Sequence, residues 1–218
     1  MQQKVAIGHR EPGRPVGRGP KVRAAVLAAA LEELAAGGYA GLTIENVARR
    51  AGVHKTTVYR RWRTRESLVA DLLGERIAID TPIPDTGSLE GDLRGLAQAF
   101  VDWVTSPTGR TIFAAVYSEA ARAIPGVADA RRDLFAYAPR RAAPVIEGAV
   151  DRGELPPSTD PAGVIKALIA PLYFRLEVTG DPVDAAAADE AARIAHAAAR
   201  AGVFVRTPVE PKGAQPSE

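Results

Sequence analysis

The sequence predicts an all-α fold of about nine helices, divided into a small N-terminal unit and a larger C-terminal one. Three observations carry that prediction. Apolar residues recur every three or four positions through most of the chain, the spacing of a half-buried helix. Alternating apolar and polar runs, the pattern of strands, are almost absent. Glycine and proline fall mostly between the apolar stripes, and the clearest interior break is Thr81-Pro82-Ile83-Pro84-Asp85-Thr86-Gly87.

Residues 1–20 mix Gly and Pro with Lys4, Arg10, Arg14 and Arg18, too little apolar surface to offset ordering, so a flexible basic arm is expected. A first helix follows through Val26, Leu27, Ala30, Leu31 and Leu34, and Gly37-Gly38 ends it. Thr43 stands as the N-cap of a short helix carrying Ile44, Val47, Ala48 and Ala51 on one face, which Gly52 breaks. The next begins near His54 and turns Val58 and Trp62 inward. Thr64 caps another, striped by Leu68, Leu72, Leu73 and Ile77.

Beyond the break at 81–87, Leu89, Leu93, Leu96, Phe100 and Trp103 form a long stripe. Pro107 opens a segment with Ile112, Phe113, Val116 and Tyr117. Pro125-Gly126 interrupts, and a longer segment reaches Asp151, with Pro139 and Pro144 expected to kink it. Asp160-Pro161 reads as an N-cap followed by proline at the first helical position, and the helix runs to Gly180. An alanine-rich helix spans roughly 184–201. The end, 205–218, is polar and Pro-containing and is expected to be disordered. The units expected are therefore 1–20, 21–80, 81–204 and 205–218.

Charge is unevenly spread. Up to Asp80 there are 14 Lys and Arg against 8 Asp and Glu; beyond it there are 14 against 18. A basic first third suggests a polyanionic partner. The chain has no cysteine, which excludes disulfides and thiolate metal sites. No run approaches the roughly 18–20 apolar residues that cross a bilayer, so no membrane partner is expected. The first twenty residues lack the apolar core of a secretory signal, and a cytoplasmic location is expected. His9, His54 and His196 form no triad or metal-ligand spacing, and no glycine loop follows a strand. Neither an enzyme, a cofactor nor a metal site is expected.

The informative stretch runs from Thr43 to Leu73. Two short helices joined at Ala51-Gly52-Val53 suit a helix-turn-helix: Ala51 permits close approach, Gly52 removes a Cβ from the turn and Val53 plugs the angle. With Val58 and Trp62 inward, the opposite face shows Lys55, Thr56, Tyr59 and Arg60, with His54 and Thr57 at its margins. These donors and planar groups suit phosphates and base edges. Arg49, Arg50, Arg61, Arg63 and Arg65 surround them.

Residues 21–75 resemble the DNA-binding domain of the TetR family of bacterial regulators. The match is carried in order by Gly37-Gly38-Tyr39, Leu42-Thr43, Val47-Ala48, Ala51-Gly52-Val53, Thr57-Val58-Tyr59, Trp62 and Leu68. His54 departs from it, standing where the family more often has a small hydroxyl residue. The resemblance implies that His54–Arg61 enters the major groove of a double-stranded DNA operator, with the Tyr59 hydroxyl on a phosphate. Thr43 and Arg65, at helix N-termini, are implied phosphate contacts, and Lys55, Thr56 and Arg60 face base edges. In the arm, Gly13-Arg14-Pro15 with Arg18 matches the core of minor-groove AT-hook peptides, so Arg14 and Arg18 are candidates for an A·T-rich groove.

The resemblance further implies a C-terminal helical domain that holds an apolar pocket and the dimer contact. Phe100, Trp103, Phe113, Tyr117 and Tyr173 are the pocket candidates, large side chains of which three pair an apolar body with a polar tip. For a homodimer, Leu168, Leu172 and Leu176 offer one stripe, and Ala191, Ile194, Ala195 and Ala198 a second of mostly small side chains. The function expected is a ligand-responsive regulator, a repressor released from a near-palindromic operator by a small, largely apolar effector. A DNA-binding regulator controlled by a protein partner, or acting architecturally, is the alternative.

Overall fold

The computed structural model describes residues 18–117 and 127–206. Among them the chain forms nine α-helices and one π-helical turn, with no strand beyond an isolated bridge between Thr159 and Val205. The helices are α1 Arg18–Gly41, α2 Ile44–Arg50, α3 Lys55–Arg61, α4 Arg65–Asp80, α5 Leu89–Thr105, α6 Pro107–Tyr117, α7 Val127–Asp151, α8 Pro161–Phe174 and α9 Ala185–Arg200; Arg175–Thr179 is the π-helical turn. The fold is all-α. No helix among the described residues is long and apolar enough to cross a membrane.

Side-chain caps set several helix starts. Thr43, Ser88, Asp160 and Asp184 each accept a backbone N–H from the first turn that follows. Thr64 and Ser67 make a reciprocal capping box at the head of α4. Gly38, at φ 60° and ψ −168°, divides α1; only glycine holds that conformation without strain. The break turns Tyr39 and Leu42 back into the interior, where both are buried.

Two apolar clusters result. One joins α1–α4 with Trp103, Val104, Ile112 and Phe113 from α5 and α6. The other gathers the first part of α5 with α7, α8 and α9. The end of α5 and, from α6, Ile112, Phe113 and Tyr117 therefore pack with the N-terminal helices, across the 81–87 break. Asp92, buried at the start of α5, accepts from the Thr86 N–H (2.7 Å) and hydroxyl (2.8 Å). Glu154, beyond α7, accepts from the Leu89 N–H at 2.9 Å, so the loop end and the two helices are locked together.

Several expectations are corrected. The first helix begins at Arg18, so Arg18 opens α1 instead of belonging to an arm; Arg14 lies outside the described residues. Pro139 and Pro144 both stand inside α7, which continues through them as one helix, and its Val145, Ile146 and Ala149 are buried. The helix expected to reach Gly180 widens after Phe174 into the π-helical turn, closed by the Gly180 N–H on the Arg175 carbonyl at 2.8 Å. Val205 and Arg206 are tied down rather than loose: Arg206 donates to the Ser158 carbonyl (3.0 Å) and pairs with Asp160 (2.7 Å). The tail from 207 lies outside the described residues.

The expected dimer stripes are also corrected in part. Leu168, Leu172, Ala191 and Ala195 are 0–1% exposed within one protomer, because α8 and α9 turn those faces onto each other and onto α5 and α7. Leu176 is half-buried against the first cluster. What remains outward is Ile194, with Ala198 half-buried beside it, and on the neighbouring edge Phe174 and Val178.

Candidate nucleic-acid interface and adjoining cavity

The turn between α2 and α3 is a Schellman motif. Val53 N–H bonds the Ala48 carbonyl (3.0 Å), Gly52 N–H bonds that of Arg49 (3.2 Å), and Gly52 takes φ 67°. This closes α2 and sets α3 beside it. Val58 and Trp62 anchor α3 inward, as the sequence predicts, with Val58 fully buried and Trp62 4% exposed. The far end of α3 is fixed by charge as well as packing. Asp71 on α4 accepts from Trp62 Nε1 (2.9 Å) and from Arg23 Nη2 (2.6 Å), and Arg61 lies 3.8 Å away. Arg23 also pairs with Glu75. Burial works to raise the Asp71 carboxyl, but the Arg23 and Trp62 hydrogen bonds and the charges of Arg23 and Arg61 hold it below its ordinary value.

The outward face of α3 carries His54, Lys55, Thr56, Tyr59 and Arg60 exposed and Thr57 half-buried. His54 is the N-cap residue and makes no side-chain capping bond, so its imidazole is not used to close the helix. Among the described residues Lys55, Arg60 and Arg63 make no ion pair or side-chain hydrogen bond, leaving three uncompensated cations in one region. The others are engaged. Arg50 pairs with Glu32 and Glu33, and Arg49 donates to Asn46. Arg65 pairs with Glu66 at 3.0 Å and lies 4.9 Å over the Tyr39 ring. The Thr43 hydroxyl accepts from the Asn46 N–H at 3.1 Å, which leaves its own proton to donate.

Tyr59 is 41% exposed and donates its hydroxyl to Glu45 Oε1 at 3.2 Å. Its phenol is raised above its ordinary value by desolvation, then by the Glu45 charge and hydrogen bond. Sequence reading missed Glu45, since the pairing depends on how α2 and α3 cross. A carboxylate among cations holds the hydroxyl in place and offers a phosphate an exchange rather than a vacant donor.

A cavity of about 590 Å³ lies beneath α4, among α5, α7 and α8. Phe100, Trp103, Tyr117 and Tyr173, four of the five aromatic candidates, line it. Phe113 does not: it is buried behind that wall, stacked on Tyr117 at 5.2 Å between ring centroids. The Tyr117 and Tyr173 hydroxyls meet at 3.1 Å, and Tyr173 is raised far above its ordinary value, chiefly by desolvation. Among the described residues Trp103 Nε1 is buried without a hydrogen-bond partner. Ile77 and Thr81 from the end of α4, and Arg141 from α7, complete part of the wall. No one-dimensional pattern marks those three.

The structure thus sets an outward cationic α3 on a helix-turn-helix whose last helix, α4, ends at an apolar chamber. Residues 26–72 match the family model described as bacterial regulatory proteins, tetR family. Residues 83–195, more than half the chain, match the one described as tetracyclin repressor-like, C-terminal domain. The chain belongs to the TetR family.

Among TetR-family relatives, the HTH-type transcriptional regulator AqdR of Rhodococcus erythropolis is 33% identical over 69% of this chain and 72% of its own length. The uncharacterized regulator YdeS of Bacillus subtilis is 30% identical over 79% of this chain and 85% of its own. A crystal structure of the TetR family transcription regulator SCO0332 superposes with a TM-score of 0.68 at 32% identity, covering 81% of this chain and 97% of that one. The protein is accordingly a helix-turn-helix, DNA-binding transcriptional regulator and not an enzyme.

Proposed function

We propose that this TetR-family protein is a cytoplasmic repressor that binds a near-palindromic operator as a homodimer and is released by a small, largely apolar effector. The observation that carries the reading is the position of α4. Its Leu68, Val69, Leu72 and Leu73 belong to the core that holds α3, while Ile77 and Thr81 line the chamber. An occupant touching the end of that helix acts on the element supporting the DNA face, and shifts occupancy only by its differential affinity for the two arrangements. A largely apolar, partly open chamber of this size supports a small molecule over a protein partner as the signal.

In this reading α3 lies in the major groove. Lys55, Thr56 and Arg60 face base edges, with His54 and Thr57 beside them. Tyr59, Thr43, Arg65 and Arg63 contact phosphates, and Arg14 of the arm reaches the minor groove. The second copy pairs through the outward edge of α8, the π-helical turn and α9, where Phe174, Val178 and Ile194 are exposed. Selecting binding sites from a random DNA pool tests the first half: two inverted half-sites about one or more helical turns apart are expected. Recovery of no sequence preference overturns it. Release of the selected DNA in a gel-shift screen of apolar compounds tests the second half, and a screen in which no compound releases it counts against the effector.

A further inference from the structure

The chamber is not uniformly apolar. Arg141, half-buried on α7, lines it, as do Lys166 and Glu177. Arg141 makes three hydrogen bonds, all to neutral groups at the end of α4: Nη1 to the Thr81 carbonyl (2.6 Å) and hydroxyl (3.3 Å), and Nη2 to the Ala78 carbonyl (3.0 Å). Those carbonyls are among the four a helix leaves unsatisfied at its C-terminus, and a cation there is favoured by the helix dipole. Part of the guanidinium is accounted for in this way. The rest is not.

A guanidinium has five N–H donors, and Nε makes no bond among the described residues. Arg141 also has no ion pair among them, although its setting is an apolar wall. Lys166 likewise makes no ion pair among the described residues. Glu177, the one carboxylate among the described lining residues, is exposed and has an interaction of its own. A charge half-removed from water without a counter-ion is costly, and an oxyanion on its open edge relieves that cost.

We propose that the effector is an amphiphilic organic anion, its ring or chain held among Ile77, Leu96, Phe100 and Tyr173 and its carboxylate-like group bound by Arg141. This rests on the effector-chamber reading above and narrows it from apolar to acidic and apolar. The guanidinium that receives the anion is the one that closes the end of α4, so the ligand's charge is felt at the helix that supports the DNA face.

Two fluorescent probes test the assignment: 8-anilino-1-naphthalenesulfonate and N-phenyl-1-naphthylamine share one ring system and differ by the sulfonate. Quenching of Trp103, followed in the full-length Trp62→Phe protein, locates either probe in the chamber. The sulfonate is expected to bind at least about tenfold more tightly, the worth of a charge-assisted contact. Arg141→Met should abolish that preference while changing the uncharged probe less than about threefold, and Arg141→Lys should restore part of it. Equal loss of both probes in Arg141→Met gives Arg141 a structural role only and overturns the proposal. Tight binding of the uncharged probe with no preference for the sulfonate in the unsubstituted protein overturns the anionic assignment alone. If neither probe quenches Trp103, the chamber reading fails and this one with it.

Discussion

Asp71→Ala removes the acceptor that holds the end of α3 to α4, and the structure sets the size of the effect. Trp62 is 4% exposed, and its indole N–H has the Asp71 carboxylate as its partner at 2.9 Å. Leaving a buried donor unmet costs about 1–3 kcal/mol. Arg23 loses its bond to Asp71 but keeps Glu75, and its side chain is 25% exposed, so this part is screened and adds about 0.5–1 kcal/mol. The sum is about 1.5–4 kcal/mol, which lowers the melting temperature by about 3–16 °C in a chain of this size.

Urea unfolding of wild type, Asp71→Ala, Trp62→Phe and the double variant measures the coupling directly. The Asp71→Ala loss should shrink by about 1 kcal/mol or more in the Trp62→Phe background, because the phenyl ring has no N–H to strand. An Asp71→Ala protein within about 0.5 kcal/mol of wild type, or a loss unchanged by Trp62→Phe, refutes the reasoning.

At the DNA face, Tyr59→Phe should leave the melting temperature unchanged and weaken binding about fivefold on every duplex, whereas Lys55→Ala should weaken binding about 10- to 100-fold on the selected site and relax specificity, both read by gel shift. In α6, a Cβ on Gly109 would fall on the Trp103 carbonyl oxygen at the end of α5, so Gly109→Ala should destabilise by more than about 2 kcal/mol. Gly37→Ala, with open space around it, should stabilise by about 0.5–1 kcal/mol, both by denaturant titration. For Glu66, Asp71 and Glu154, burial works to raise the carboxyl, but hydrogen bonds outweigh it and bring each below its ordinary value: backbone and side-chain donors for Glu66 and Glu154, and the Arg23 and Trp62 side chains for Asp71. Their stabilisation is therefore present above an unfolded pKa of about 4 and lost as pH falls through the lower folded values. Melting temperature should be flat through neutral pH and fall below about pH 4, and Asp71→Asn should flatten that acid limb.

The sequence by itself determined that the elements are helices, the π-helical turn apart, and that Val58 and Trp62 are the inward side of α3. Capping, glycine placement and apolar spacing are local properties, written within a few residues, and they located Thr43, Gly52, Thr64 and the inward pair Val58 and Trp62. The order of residues from Gly37 to Leu68 was enough to indicate the TetR family, because that unit is held together by contacts at short sequence separation. Local rules also had limits. Arg18 looked like part of a Gly- and Pro-rich arm, yet it opens α1, since Pro20 is tolerated in a first helical turn.

Only the tertiary structure decided which apolar residues face one another and which face outward. Leu168, Leu172, Ala191 and Ala195 form stripes suited to a dimer contact, but a stripe does not say which neighbour covers it, and α5, α7, α8 and α9 enclose those side chains within the protomer. Phe113 and Tyr117 sit on one helix, and the packing puts Tyr117 on the chamber and Phe113 behind it. Arg141 shows the difference most clearly. It lies 60 residues from Thr81, and nothing in its own neighbourhood announces that it closes α4 and opens onto the chamber. Helices arise from local backbone energetics; a site arises where distant helices meet, and that meeting is settled by the packing of the whole chain.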